Sequence, residues 1–215
     1  MERIVLLFAV FLLCEAKDTM TEIPVFVRTG GDMFLNLKPP IPLEDGEFIW
    51  KFNDNQNIVK FKNGGAAKIH KIYQGRAEFS KQNYSLILRN VTKSNSGRYV
   101  ALVSGDEDTT VAEFNVKVQD PVAPVMLAVK STGSCNLTVT CSPVDSDFSS
   151  TAICDNQTCS QVRGQESKAT TDPSSVNIYL EEGFIICNHS NHVSWEHKKR
   201  DIKPFCGLHS GKIKR

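Results

Sequence analysis

From residue 20 onward the chain alternates apolar and polar positions with a period of two. Between Asp32 and Lys38, Met33, Leu35 and Leu37 fall on one face, with Phe34 an apolar exception on the other. Between Glu47 and Asn53, Phe48, Trp50 and Phe52 point one way. Between Tyr84 and Val91 the inward pair is Leu86 and Leu88, or Ile87 if the register slips by one. Between Thr109 and Val118, Ala112, Phe114, Val116 and Val118 share a face. Successive side chains of a strand leave opposite faces, so this pattern predicts strands buried on one side only. Turn residues separate the runs: Gly30-Gly31, Gly64-Gly65, Asn95-Ser96-Gly97 and Gly105-Asp106. Many short strands with frequent turns predict an all-β sandwich or barrel.

Pro121 and Pro124 interrupt this pattern, and a new strand begins at Val125. Proline cannot donate to a ladder and fixes its own φ, so the short connection is predicted to be stiff. The expected layout is a first domain over 20–119 and a second over 122–206.

Three features make the first sandwich immunoglobulin-like. Trp50 lies on the third strand, where that fold buries a tryptophan. Arg76 opens a strand. The run Leu86-Ile87-Leu88-Arg89-Asn90-Val91-Thr92-Lys93-Ser94-Asn95-Ser96-Gly97-Arg98-Tyr99-Val100-Ala101 has the form of strand E, a corner and strand F, with Tyr99 bonding back to backbone. The usual inter-sheet disulfide is missing, and Leu37 and Ala101 take its two positions. A crosslink contributing about 3–4 kcal/mol in the loop-entropy account is therefore absent. Asn95 replaces the usual aspartate opposite Arg76, which predicts a neutral hydrogen bond there in place of a charge-assisted one.

The 215 residues carry a formal net charge of +1, with 40% hydrophobic and 23% charged residues. That is a globular composition with no charge bias toward nucleic acid. Arg3, the apolar run from Ile4 to Leu13 and the small-residue end Cys14-Glu15-Ala16 predict a secretory signal over 1–16. Five N-glycosylation sequons agree with export, at Asn83, Asn90, Asn136, Asn156 and Asn188. Six cysteines follow the signal, all in the second half, and an even number in an exported chain implies disulfides. Cys141 and Cys187 fit strands B and F of a constant-type second domain. Cys135 and Cys206 lie near its two ends and can meet, and Cys154 with Cys159 closes a small hairpin. A zinc site with His189 and His192 is the rival use of these residues, disfavoured by the oxidising compartment; the histidines are expected on the surface. No nucleophile elbow, phosphate loop, metalloprotease helix or triad is present, so no enzyme, metal or cofactor is expected.

The disulfide-free variable-type first domain, carried by Leu37, Trp50, Tyr99 and Ala101, is joined to a second domain with the runs Cys135-Asn136-Leu137-Thr138-Val139-Thr140-Cys141 and Cys187 through Trp195 to Cys206. Together these resemble the signalling lymphocytic activation molecule (SLAM) family of leukocyte receptors over residues 22–206. Two departures stand out: Ile185 replaces a tyrosine two residues before Cys187, and no membrane anchor follows Cys206. The resemblance implies binding to a related immunoglobulin-superfamily receptor, or to a second copy, through the sheet of strands G, F, C and C-prime in the first domain.

The residues point to the same face. No sequon falls in 47–63 or 97–118, whereas Asn83 and Asn90 flank strand E on the opposite sheet, and glycans are bulky. Alternation turns Ile49, Lys51 and Asn53 outward, with Val100, Leu102, Val111 and Glu113. The expected surface has an apolar centre of Ile49, Val100, Leu102 and Val111. A basic edge of Lys51, Lys60 and Lys62 stands beside it, and Asp106, Glu107 and Asp108 form an acidic loop. The ionic groups would orient the partner and the apolar patch would supply most of the affinity. Three sequons make the second domain a glycan-coated spacer. The basic tail 207–215 holds neither a spanning segment nor a lipid-anchor signal, so the chain as written is expected to be secreted. A soluble decoy or regulator of such a receptor is the alternative role.

Overall fold

The computed structural model describes residues 21–37, 46–133, 135–144, 146–162 and 174–206, so the expected signal and the basic tail lie outside the described residues. The first part of the chain forms β1 (Ile23–Arg28), β2 (Met33–Leu35), β3 (Glu47–Phe52), β4 (Gln56–Lys62), β5 (Lys68–Ile69), β6 (Ala77–Phe79), β7 (Leu86–Leu88), β8 (Gly97–Ser104) and β9 (Thr109–Gln119). Six of these make one sheet in the order β1-β9-β8-β3-β4-β5, and three make the facing sheet, β2-β7-β6. β1 runs parallel to β9, and the other pairs of the larger sheet are antiparallel. In immunoglobulin lettering β3, β4, β8 and β9 are strands C, C-prime, F and G.

The core between the sheets is built from the alternating residues. Met33, Leu35, Phe48, Trp50, Leu86, Leu88, Tyr99 and Ala101 are fully buried in one cluster, with Leu37 beside them. Leu86 and Leu88 point inward and Ile87 is half-buried on the other side, which fixes the register. Packing of Leu37 and Ala101 thus fills the space a disulfide would bridge. The polar atoms of the large rings are satisfied: Trp50 Nε1–H donates to the carbonyl of Tyr84 at 2.8 Å, and the Tyr99 hydroxyl donates to the carbonyl of Asn95 at 2.8 Å. The latter bond is the tyrosine corner, and burial pushes the Tyr99 hydroxyl pKa up. Gly97 starts β8 with φ +151°, and a Cβ there would stand 2.4 Å from Asn53 Oδ1. Only glycine allows this close approach.

The second part forms β10 (Val125–Ser131), β11 (Leu137–Pro143), β12 (Ser150–Cys154), β13 (Cys159–Gln161), β14 (Ser175–Glu181), β15 (Phe184–Ser190), β16 (Trp195–Asp201) and a final turn of helix, α1 (Lys203–Cys206). Four strands in the order β10-β11-β12-β13 face three in the order β14-β15-β16. That is the four-and-three layering of a constant-type sandwich. Within each sheet, however, neighbours are successive strands, so each sheet is a meander. Cys141–Cys187 joins the sheets through the core, Cys135–Cys206 ties the last helical turn to the start of β11, and Cys154–Cys159 closes the β12–β13 hairpin.

The linker is held at several points. Asn191 Nδ2 donates to Asp120 O at 2.8 Å, the Val122 N–H donates to Ser194 Oγ at 2.7 Å, and His189 Nδ1 lies 2.9 Å from Ala123 O. Phe26 stacks on His192 with ring centroids 3.7 Å apart. His189 is therefore buried, not on the surface as expected from the sequence; its ring is committed to the linker backbone.

Candidate functional site

The outer face of the six-stranded sheet is set by register. Across β4, β3, β8 and β9, Lys60 stands opposite Ile49, Ile49 opposite Leu102, and Leu102 opposite Thr110. One rung along, Lys51 stands opposite Val100 and Val100 opposite Glu113. Ile49, Val100 and Leu102 meet as a cluster of their own, separate from the inter-sheet core.

That cluster is not open to solvent. Ile49, Val100 and Leu102 are only 5%, 4% and 5% exposed, which corrects the expectation of an exposed apolar centre. Alternation identifies the side of the sheet a residue occupies, not what covers it. Here the same-face neighbours in the ladder are Lys51, Lys60, Glu113 and Thr110, and long charged side chains can cover apolar surface with their stems.

The charges are also arranged differently from a basic edge facing an acidic loop. Lys51 Nζ lies 3.8 Å from Asp108, and Lys60 Nζ lies 3.5 Å from Glu47. Arg98 pairs with both Glu113 and Asp54. Its hydrogen bond to Glu113 raises the guanidinium pKa further, so its charge is permanent. Opposite charges within reach on one sheet pair with each other first, which removes the predicted separation. Lys62, Asp106 and Glu107 are exposed and make no ion pair among the described residues. Arg98, Glu47 and Thr110 were missed by the sequence reading; the parity that placed Val100 and Leu102 outward also places Arg98 there.

Val111 does not face outward. The β8–β9 ladder shifts between Ala101 and Leu102, so Ala101 pairs with Ala112 while Leu102 pairs with Thr110. Val111 is the extra residue of this bulge and packs against the inter-sheet core, leaving Thr110 on the outer face. Asn53 is exposed but sits in a turn with φ 46°, and its Oδ1 accepts the Arg98 N–H at 3.0 Å. Its side chain supports the β3–β8 junction. Arg76 and Asn95 do not pair: Asn95 Oδ1 accepts the Thr92 N–H at 2.9 Å, and Arg76 reaches the carbonyl of Asn90 at 3.4 Å. The Asn95 amide caps its own corner instead.

Asn83 and Asn90 bracket β7 in the smaller sheet, away from this face. Asn136, Asn156 and Asn188 belong to the second sandwich. Among the described residues no group of three or more His, Cys, Asp or Glu is placed to hold a metal ion, and no helix is long and apolar enough to cross a membrane.

No family model matches the chain. It is 29% identical over 120 residues to T-lymphocyte surface antigen Ly-9 of Homo sapiens; the match takes in 53% of this chain and 18% of the relative, so the chain corresponds to a small part of that protein. Over that stretch the chain is similar to a protein of the SLAM family of the immunoglobulin superfamily. Its fold is that of the CD2-binding domain of CD58 (TM-score 0.56, 15% identity, 84% of this chain and 96% of that one). Murine CEACAM1b shares it (TM-score 0.54, 21% identity, 83% and 96%). Relatives and structural neighbours are immunoglobulin-family immune receptors and adhesion molecules.

Proposed function

We propose that the chain is a non-enzymatic extracellular recognition protein of immune cells that binds a related immunoglobulin-family receptor, or a second copy of itself, through the outer face of β9-β8-β3-β4. The observation that carries this reading is the composition of that face. A ring of ion-paired side chains (Lys51, Asp108, Lys60, Glu47, Arg98 and Glu113) surrounds a close-packed apolar floor, on a surface without sequons.

The floor changes the energetics of the proposed contact. Burial is worth about 25 cal/mol per Å² of apolar surface, and Ile49, Val100 and Leu102 have almost none left to bury. The trio stiffens the face and keeps the charged heads in register. Recognition then falls to the charged and polar groups, which set orientation and association rate more than affinity. The expected contact is weak, quick to form and sensitive to salt.

The test is surface plasmon resonance against immobilised copies of this chain and of SLAM-family ectodomains. Lys51→Glu and Glu113→Lys should each reduce binding at least about tenfold, the size expected for a lost or reversed charge contact, with unchanged circular dichroism. Binding at parental strength by both variants would refute the face.

A further inference from the structure

A second exposed surface lies on the outer face of β14-β15-β16, with Asn188 at its centre. Asn188 is on the middle strand, opposite Asn177 on β14 and His197 on β16. Tyr179 and Ile186 stand one rung along, and Trp195 stands one rung the other way, opposite Ser190. Tyr179, Glu181, Ile186, Asn188, Trp195 and His197 line one shallow depression of about 280 Å³. Trp195 is 66% exposed and Tyr179 40%. The Trp195 and His197 rings lie side by side, centroids 5.2 Å apart. The Asn188 side chain makes no hydrogen bond among the described residues.

Neighbouring aromatic rings left open on one sheet face mark a contact surface. Here the covering group is identified by the sequence: Asn188-His189-Ser190 is an acceptor for an N-linked glycan. We propose that the two N-acetylglucosamine residues of an Asn188-linked glycan lie on this face, with their C–H faces against Trp195 and Tyr179 and their polar groups toward Asn177, His197 and solvent. A same-face cross-strand neighbour is about 5 Å away and a diagonal one about 7–8 Å, so rings on both flanking strands are within reach of the first sugars. Tethering makes the contact intramolecular, and a shallow site is then enough to hold the sugar. A protein partner would have to displace a glycan rooted in the middle strand. This glycan is therefore a structural cover for the second sandwich, unlike those on exposed turns such as Asn156. The inference rests on Asn188 being occupied.

The chain has two tryptophans, and Trp50 is fully buried, so collisional quenching by acrylamide reads Trp195. The protein is made in mammalian cells, and glycopeptide mass spectrometry first establishes occupancy of Asn188. Asn188→Gln and Ser190→Ala then remove the glycan by independent changes, with Trp195→Phe confirming the source of the signal. The Stern–Volmer constant of the Trp195 component should rise roughly twofold in both glycan-free variants as the ring is uncovered. An unoccupied Asn188 would overturn the premise. Full occupancy with equal quenching before and after glycan removal would overturn the contact itself.

Discussion

Lys51 and Asp108 reach toward each other across strand β8, from β3 to the turn that leads into β9, with 3.8 Å between Nζ and carboxylate. Both side chains remain partly exposed, so water screens the pair and its worth to folding is about 0.5 kcal/mol or less. Asp108→Asn should therefore leave the melting temperature nearly unchanged. It should also flatten the salt dependence of binding, because one ionic contact is withdrawn from the face. Thermal melts and plasmon resonance at two ionic strengths check both effects. A large loss of stability would show the pair to be structural.

Leu102 has an outward orientation and a buried environment. Leu102→Ala should destabilise the first sandwich by about 2–3 kcal/mol, as deletion of a buried leucine does. Urea unfolding followed by Trp50 fluorescence measures this. A change near zero would mean that the trio is solvent-exposed after all. For the same reason Leu102→Asp is a poor probe of binding, because it would unfold the sheet on which the face is built.

The two sandwiches differ in what holds them together. The first contains no disulfide among the described residues, and its core closes over Trp50. The second is crosslinked across sequence separations of 71, 46 and 5 residues. In the loop-entropy account the two long closures contribute about 4 kcal/mol each and the short one least. Reduction by dithiothreitol should therefore unfold the second sandwich and leave the near-ultraviolet signal of Trp50 intact. Loss of both signals together would show that the first sandwich depends on the second.

Much of the fold was legible because it follows from local periodicity. Trp50, Tyr99, Leu37 and Ala101 are inward by alternation and by their distance from recognisable turns, and each is buried. The misreadings concern relations between elements. Val111 turns inward because β8 and β9 pair with a one-residue shift, which belongs to the pair and to neither strand alone. Ile49, Val100 and Leu102 are buried in a cluster drawn from two strands, β3 and β8, which neither strand's alternation reveals alone. His189 is buried by a linker some 66 residues earlier in the chain. Charge separation failed likewise, because Lys60 meets Glu47 diagonally across β3 and β4, and Lys51 meets Asp108 across β8.

The most direct test of the recognition face is to cover it with sugar. Lys60→Asn combined with Lys62→Thr creates a sequon at position 60 on the outer side of β4 without touching the core. The glycosylated variant should keep the parental melting temperature and lose measurable binding both to itself and to SLAM-family ectodomains. Undiminished binding by a variant whose new glycan is confirmed by mass would contradict the account.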